Sequence, residues 1–314
     1  MAAEANGRYL LAIPCRMASR IAVLGATGHV GSRVARMLAD RGHPVRGVHL
    51  RPDHPLHAVG VEEVTLELAD PTDARRALEG AEAAYLAPPE QGPDPLRLER
   101  RVVRNVVRAA AEAGVGHLVV HTALHAERPG TGVPLLENKR VVEETVRDGE
   151  VPWTLVRPGL FLDTLLAAPP HERRDTLVLP FPPEHPFGAV AVGDVAAAVA
   201  GLLEAGPQEA AFDLHGPAVS GQDLAHVVGR VMERTVRSER HPDGSRGFVG
   251  TLAAGPEERL LHKVLYDYVG RVEYVGDPEP ISGVVPGFRY ATVESFVHDE
   301  WAPRGRPFTL ERPS

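Results

Sequence analysis

From Arg20 the chain reads Ile21-Ala-Val-Leu24, then Gly25-Ala-Thr-Gly28-His-Val-Gly31, then Ser32 to Ala39 with Val34 and Leu38 at helical spacing. That order predicts a strand, a glycine turn and a helix. Apolar runs at Val45 to Leu50 and Val61 to Leu68 predict two more strands, the second stopping at Asp70-Pro71 before a helix from Asp73 to Leu78. The alternation continues with a strand at Ala83 to Leu86 and a helix at Leu96 to Ala113. A strand at His117 to Val120, a helix at Glu137 to Arg147 and a strand at Trp153 to Val156 complete it. Strands alternating with helices of this length predict an α/β fold, a doubly wound parallel sheet of Rossmann type covered on both faces.

After Arg157-Pro-Gly159 the rhythm breaks, with Pro169, Pro170, Pro180, Pro182, Pro183 and Pro186 in quick succession. An irregular segment over the carboxyl edge of the sheet is expected there. A strand at 189–192 and a helix at 195–203, capped by Asp194, return to the core. Phe212 to Leu214, then Ser220 capping Gln222 to Val231, read as a strand and helix of a smaller lobe. Pro256 opens a helix whose Leu260, Leu261, Val264, Leu265 and Tyr268 share a face, more in keeping with core than with a ligand box. The expected organisation is a disordered leader at 1–17, a dinucleotide-binding domain at 18–160 and a carboxyl-terminal α/β substrate lobe at 161–314.

Composition narrows the function classes. With 314 residues, 43% hydrophobic and 24% charged, the chain can bury a substantial core. The balance of 34 basic against 42 acidic side chains, net −8, argues against nucleic acid or an anionic membrane surface and for a small-molecule substrate. No stretch reaches the roughly 18 to 20 apolar residues of a spanning helix. The single cysteine, Cys15, fits a reducing compartment, read as the cytoplasm. Oligomeric state stays open, a homodimer included.

The glycine turn carries the first chemistry. Gly25 permits the tight turn, Gly28 lets backbone approach a pyrophosphate, and Gly31 allows close packing of helix on strand. The helix start supplies unpaired N–H donors and partial positive charge, so a diphosphate needs no lysine. Near the end of the second strand, where an acidic residue would hold the ribose 2′-hydroxyl of NAD, stands Arg51. Its guanidinium favours the 2′-phosphate of NADP, used as NADPH, over NAD, although Asp53 could still reach a ribose.

Four segments, GATGHVG, VRGVHLRPD, the aspartate of LAD and VPWTLVRPGLF, resemble the NmrA-like, atypical branch of the short-chain dehydrogenase/reductase superfamily over about Arg20 to Leu214. The resemblance implies a dinucleotide fold whose carboxyl-terminal lobe closes a substrate cleft. It implies that Thr27, Gly28, His29, Val30 and Gly31 line the diphosphate, and that Arg51 and Asp70 flank the adenosine end. Ala87 and Pro88 would follow the cofactor edge, and Pro158 would lie beside the nicotinamide. The usual reductases of the superfamily use a serine, and a tyrosine four residues ahead of a lysine. Here Thr122 stands near the serine position, Lys139 keeps the lysine, and Leu135 replaces the tyrosine. Lys139 also keeps the spacing to Val-Pro-Trp-Thr154 found in the family's benzylic ether and isoflavone reductases, where the corresponding lysine acts in proton transfer.

Lys139 is therefore the catalytic candidate, with a pKa expected to fall by desolvation so that it can exchange a proton at neutral pH. The other reading is a lysine that binds ribose hydroxyls or faces water. His117, His121 and His125 recur every four residues, but His117 and His121 share a strand face and His125 falls in the loop, and no HExxH accompanies them, so no metal is expected. His121 or His125 could supply the proton that Leu135 cannot. No GxSxG elbow exists for a serine hydrolase. Asp163 and the run Glu172 to Asp175 read as solvated charges, and Phe161, Phe181, Phe187, Phe248 and Tyr266 as pocket walls or core. Two functions follow: an NADPH-dependent reductase of a small quinone, enone or carbonyl compound, or a non-catalytic NADP-binding redox sensor.

Overall fold

A computed structural model describes residues 20–50, 56–92, 94–166, 175–252 and 255–302. The leader at 1–17 with Cys15, and also Arg51, Asp53 and 172–174, lie outside the described residues.

The strands are β1 (Arg20–Leu24), β2 (Val45–His49), β3 (Val61–Thr65), β4 (Ala81–Leu86), β5 (His117–His121) and β6 (Trp153–Pro158), followed by β7 (Leu160–Phe161), β8 (Thr176–Leu179), β9 (Ala189–Val190), β10 (Ala211–Leu214) and β11 (Arg237–Arg240). Seven of them form one sheet in the order β3-β2-β1-β4-β5-β6-β10. Every pair is parallel. This is the doubly wound order, with strand direction of travel reversing between β1 and β4. A ligand crevice in such sheets lies outside the carboxyl ends at that reversal.

Helices α1 (His29–Asp40), α2 (Pro71–Leu78), α3 (Pro95–Ala113) and α4 (Pro134–Arg147) follow the strands, then α5 (Leu162–Leu165), α6 (Val192–Ala205), α7 (Gly221–Val231), α8 (Gly244–Leu252), α9 (Pro256–Val269), α10 (Pro280–Val284) and α11 (Val293–Ser295), which runs into a π turn, Phe296–Trp301. One sheet face packs Val23, Tyr85, Val119 and Val156 against Val34 and Leu38 of α1 and Val195 and Val199 of α6. The other packs Leu24, Leu86, Val120 and Leu155 against Ala74 of α2, Val103 of α3 and Val142 of α4. Strand residues alternate between these two cores because the side-chain period is two.

Three expectations are corrected. Phe212 to Leu214 belongs to the main sheet rather than to the lobe: β10 pairs with β6 from Ala211↔Leu155 to Leu214↔Pro158. Asp194 does not cap its helix, which begins at Val192; its carboxylate accepts from the N–H of Ala291 at 2.9 Å. The first turn of α6 is served instead by Asp163, which accepts from the Val192 N–H at 2.8 Å and pairs with Arg33 at 3.1 Å, so it is no solvated charge. The lobe proper has its own apolar core, in which Phe181, Phe187, Phe248 and Tyr266 are buried. Leu265 of α9 joins that core, whereas Leu260 is exposed. Ser220 caps α7 as expected, in a reciprocal box with Asp223.

Candidate functional site

Gly25 follows β1 at φ +93°, in the left-handed region that suits glycine. A Cβ there would stand 2.8 Å from the Ala87 carbonyl oxygen, so β1 and β4 leave the sheet in backbone contact. A Cβ on Gly31 would stand 2.1 Å from the Gly25 carbonyl oxygen, which is why α1 can begin directly on the turn. Gly28 precedes α1 and supplies no side-chain cap, and the first turn holds no acidic residue. The main-chain N–H groups of Thr27, His29, Val30 and Gly31 have no hydrogen-bond partner among the described residues, and Thr27, Gly28 and His29 are exposed. Unclaimed donors at the positive end of a 12-residue helix form an anion site of the sign a diphosphate requires. The residues present therefore fit a dinucleotide.

Asp70, expected at the adenosine end, caps α2: its carboxylate accepts from the N–H of Thr72 at 2.7 Å and of Asp73 at 3.2 Å. Those two donors hold its pKa below the usual aspartate value. Ala87 donates its N–H to Leu24, beside Pro88, and Pro158 ends β6 with its carbonyl accepting from Leu124. The switch point thus gathers Gly25, Ala87 and Pro88, with Pro158 two strands away on the same carboxyl edge.

Lys139 is only 1% exposed, and its ammonium donates to Glu90 at 2.6 Å and to Glu99 at 2.7 Å. Asn138 donates to the second oxygen of Glu99 at 2.6 Å. Burial alone would lower the lysine pKa, but two carboxylates in contact raise it above the ordinary value. The expectation of a lowered lysine pKa is therefore corrected: Lys139 is a fixed cation at neutral pH. Against its own desolvation, the half-exposed Glu90 is drawn down to about 2 by Lys139. Burial pushes Glu99 up, with Lys139 opposing.

Thr122 is also committed. Its hydroxyl donates to Glu143 at 2.9 Å, and Glu143 is gripped on both oxygens by Arg157, at 2.7 and 2.6 Å. Of the three histidines, His117 contacts the Thr154 hydroxyl at 2.9 Å and is pushed by burial to about 4. His125, at φ +66°, sits 3.1 Å from the Tyr268 hydroxyl and 3.0 Å from the Val275 carbonyl. A carbonyl only accepts, so Nε2 carries its proton and Nδ1 receives the tyrosine's, a clasp between the β5 loop and the lobe. Among the described residues no three side chains could hold a metal. No described helix is long and apolar enough to cross a membrane.

Sequence reasoning passed over Tyr85, Glu90, Glu99 and Asn138. Tyr85 had one signal, a lone large polar-tipped residue in Ala81-Glu-Ala-Ala-Tyr-Leu86. Its hydroxyl lies 2.9 Å from His121 Nδ1. Phe161, alone of the five aromatic candidates, stays partly buried outside the lobe core, its ring 6.2 Å from that of His121.

Comparison with known proteins follows the same lines. The chain is 37% identical over 225 residues to a (4-alkanoyl-5-oxo-2,5-dihydrofuran-3-yl)methyl phosphate reductase of Streptomyces griseus, covering 70% of this chain and 76% of that one. It is 28% identical over 222 residues to an NAD(P)H azoreductase of Xenophilus azovorans, covering 69% and 75%. The crystal structure of NmrA, a negative transcriptional regulator, in complex with NADP superposes with a TM-score of 0.76 at 19% identity, covering 93% of this chain and 98% of that one, and so shares the fold. Residues 17–258 match the profile of the NmrA-like family. With that match spanning most of its length and the glycine turn built as described, the chain belongs to the NmrA-like family.

Proposed function

We propose that the protein is an NADPH-dependent reductase that delivers hydride to a small quinone, enone or carbonyl compound. The observation that carries this reading is the start of α1, where four main-chain donors stand without a partner among the described residues at the switch point of the sheet. Two relatives that align over about 70% of the chain are reductases, one acting on an oxo-dihydrofuran bearing an alkanoyl group. When bound, the nicotinamide coenzyme supplies the hydride. The chain's own residues do the rest: Gly25, Thr27, Gly28, His29, Val30 and Gly31 take the diphosphate on main-chain amides. Arg51 selects the 2′-phosphate, Asp70 borders the adenosine, and Ala87, Pro88 and Pro158 line the path to the nicotinamide. Lys139 contributes its fixed charge to the nicotinamide end rather than a labile proton, and Thr122 holds β5 against α4 through Glu143. A single cysteine supports reading the compartment as a reducing one, the cytoplasm.

Calorimetry with NADPH and NADH, then stopped-flow loss of reduced-nicotinamide absorbance with a panel of quinones, enones and ketones, tests the reading. NADPH should bind more tightly than NADH, and Arg51→Ala should erase that preference. Tight binding without oxidation by any acceptor would favour a non-catalytic NADP-binding redox sensor. No binding of either coenzyme would sink both.

A further inference from the structure

Tyr85 and His121 form a pair that the coenzyme site does not require. Tyr85 is fully buried in β4, two residues before Ala87, and the Tyr85 hydroxyl has no other hydrogen-bond partner among the described residues. His121 ends β5, beside β4 in the sheet, and its ring is partly exposed at the carboxyl edge. His121 Nε2 has no hydrogen-bond partner among the described residues and is not among the buried polar atoms lacking one. A buried phenol whose sole neighbour is a ring nitrogen donates to it, since an unmade bond there costs roughly 1–3 kcal/mol. Nδ1 therefore accepts, and the ring's own proton sits on Nε2, on the open side.

We propose that His121 is a catalytic hydrogen-bond donor, its Nε2–H meeting the oxygen of the acceptor, and that Tyr85 is the positioning residue that fixes this tautomer. The inference rests on the reductase reading and names the acceptor as one with a carbonyl-type oxygen. As the new C–H bond forms with the coenzyme's hydride, the π electrons of the C=O, or of a conjugated C=C–C=O, move onto oxygen. The oxyanion takes a hydrogen bond from Nε2–H, and a solvent proton completes the hydroxyl or, by adding to the α-carbon of the enolate, the ketone. The imidazole keeps its proton throughout, acting as a preorganised donor rather than as an acid. Burial, together with the Lys139 charge and against that of Glu90, holds His121 at about 4, so the ring is neutral at working pH. Phe161 against the ring adds an apolar wall for a flat acceptor.

The test has two arms. Long-range ¹⁵N–¹H correlation spectra of the ligand-free protein should show the His121 ring neutral at pH 7 with its proton on Nε2, and Tyr85→Phe should shift the population toward the other tautomer. A proton on Nδ1, or a charged ring at pH 7, overturns the proposal whatever the enzyme does. In kinetics, His121→Phe should lower kcat with a quinone or enone by about 100-fold, the effect of losing one oxyanion donor, with NADPH affinity within about twofold of wild type. Tyr85→Phe should lose about tenfold, and kcat of the wild type should stay flat between about pH 5.5 and 8. Full turnover by His121→Phe overturns the proposal, while a wild type that binds no coenzyme condemns the reductase reading and leaves the tautomer to decide this one.

Discussion

At the start of α1 the N–H groups of Thr27, His29, Val30 and Gly31 have no partner among the described residues, whereas near the start of α4 the Lys139 ammonium is met by Glu90 and Glu99. Both regions face the carboxyl edge of one sheet, and both are rich in charge or dipole. The first is open because a backbone turn cannot satisfy its own donors; the second is closed because long side chains from α3 and the β4 loop reach it. Openness marks where a ligand binds. Closure marks what holds the wall in place, and a lysine so enclosed has lost the lability that its sequence position promised.

Breaking the closed region should have the largest effect. Lys139→Ala leaves the Glu99 carboxylate buried with Asn138, and removal of one partner from such a pair costs about 3–5 kcal/mol. Lys139→Met with Glu99→Met should recover most of that loss, read as the midpoint of urea unfolding. If the single variant unfolds like wild type, the pair is not the wall described.

Gly31→Ala addresses the open region. Its Cβ would meet the Gly25 oxygen at 2.1 Å, which forces α1 off the turn at a cost of about 3 kcal/mol. NADPH affinity should fall with it. Gly28→Ala, where the same oxygen would lie at 3.3 Å, should be much milder in thermal melts and in calorimetry. Equal losses at the two positions would mean that crowding does not govern the turn.

The smallest effect is expected where α6 begins, beside α1. Asp194 is pushed up to about 6 by burial, with Glu300 and Asp163 adding to the shift. A carboxyl whose folded pKa exceeds its unfolded value stabilises the fold most when protonated. That contribution is complete below the unfolded pKa of about 4 and is lost as pH rises through about 6. Asp194→Asn should therefore melt relatively higher than wild type at pH 7 and lose that advantage at pH 4. A constant difference in Tm across that range would refute the assignment.

Much of this architecture could be read from residue order. Periodicity placed the strands from Ile21 to Val156 and the helices between them, because buried parallel strands and two-sided helices leave strong local patterns. It misplaced β10, since three residues announce a strand without naming the sheet it joins. Asp194 carried a plausible cap for α6, yet Asp163, 29 residues before Val192, serves that end. Likewise the lysine's partners lie 49 and 40 residues away, and no spacing rule connects them. Phe181, Phe187, Phe248 and Tyr266 looked equally suited to a pocket or a core, and only their packing assigned them to the core. The glycine turn was legible because each glycine answers a backbone requirement within seven residues. The Tyr85 and His121 contact was not, because it joins two strands through side chains alone.

One ionic knot ties these parts together. Arg33, on the second turn of α1, holds Asp163 at 3.1 Å and Glu300 at 3.2 Å, and Asp163 also anchors the first turn of α6. The helix that would receive phosphates, the one flanking it and the closing π turn are thereby yoked to a single guanidinium. Arg33 thus couples the seating of α1 to that of the π turn at 296–301, so an anion held at the start of α1 would rest on a helix braced from both sides.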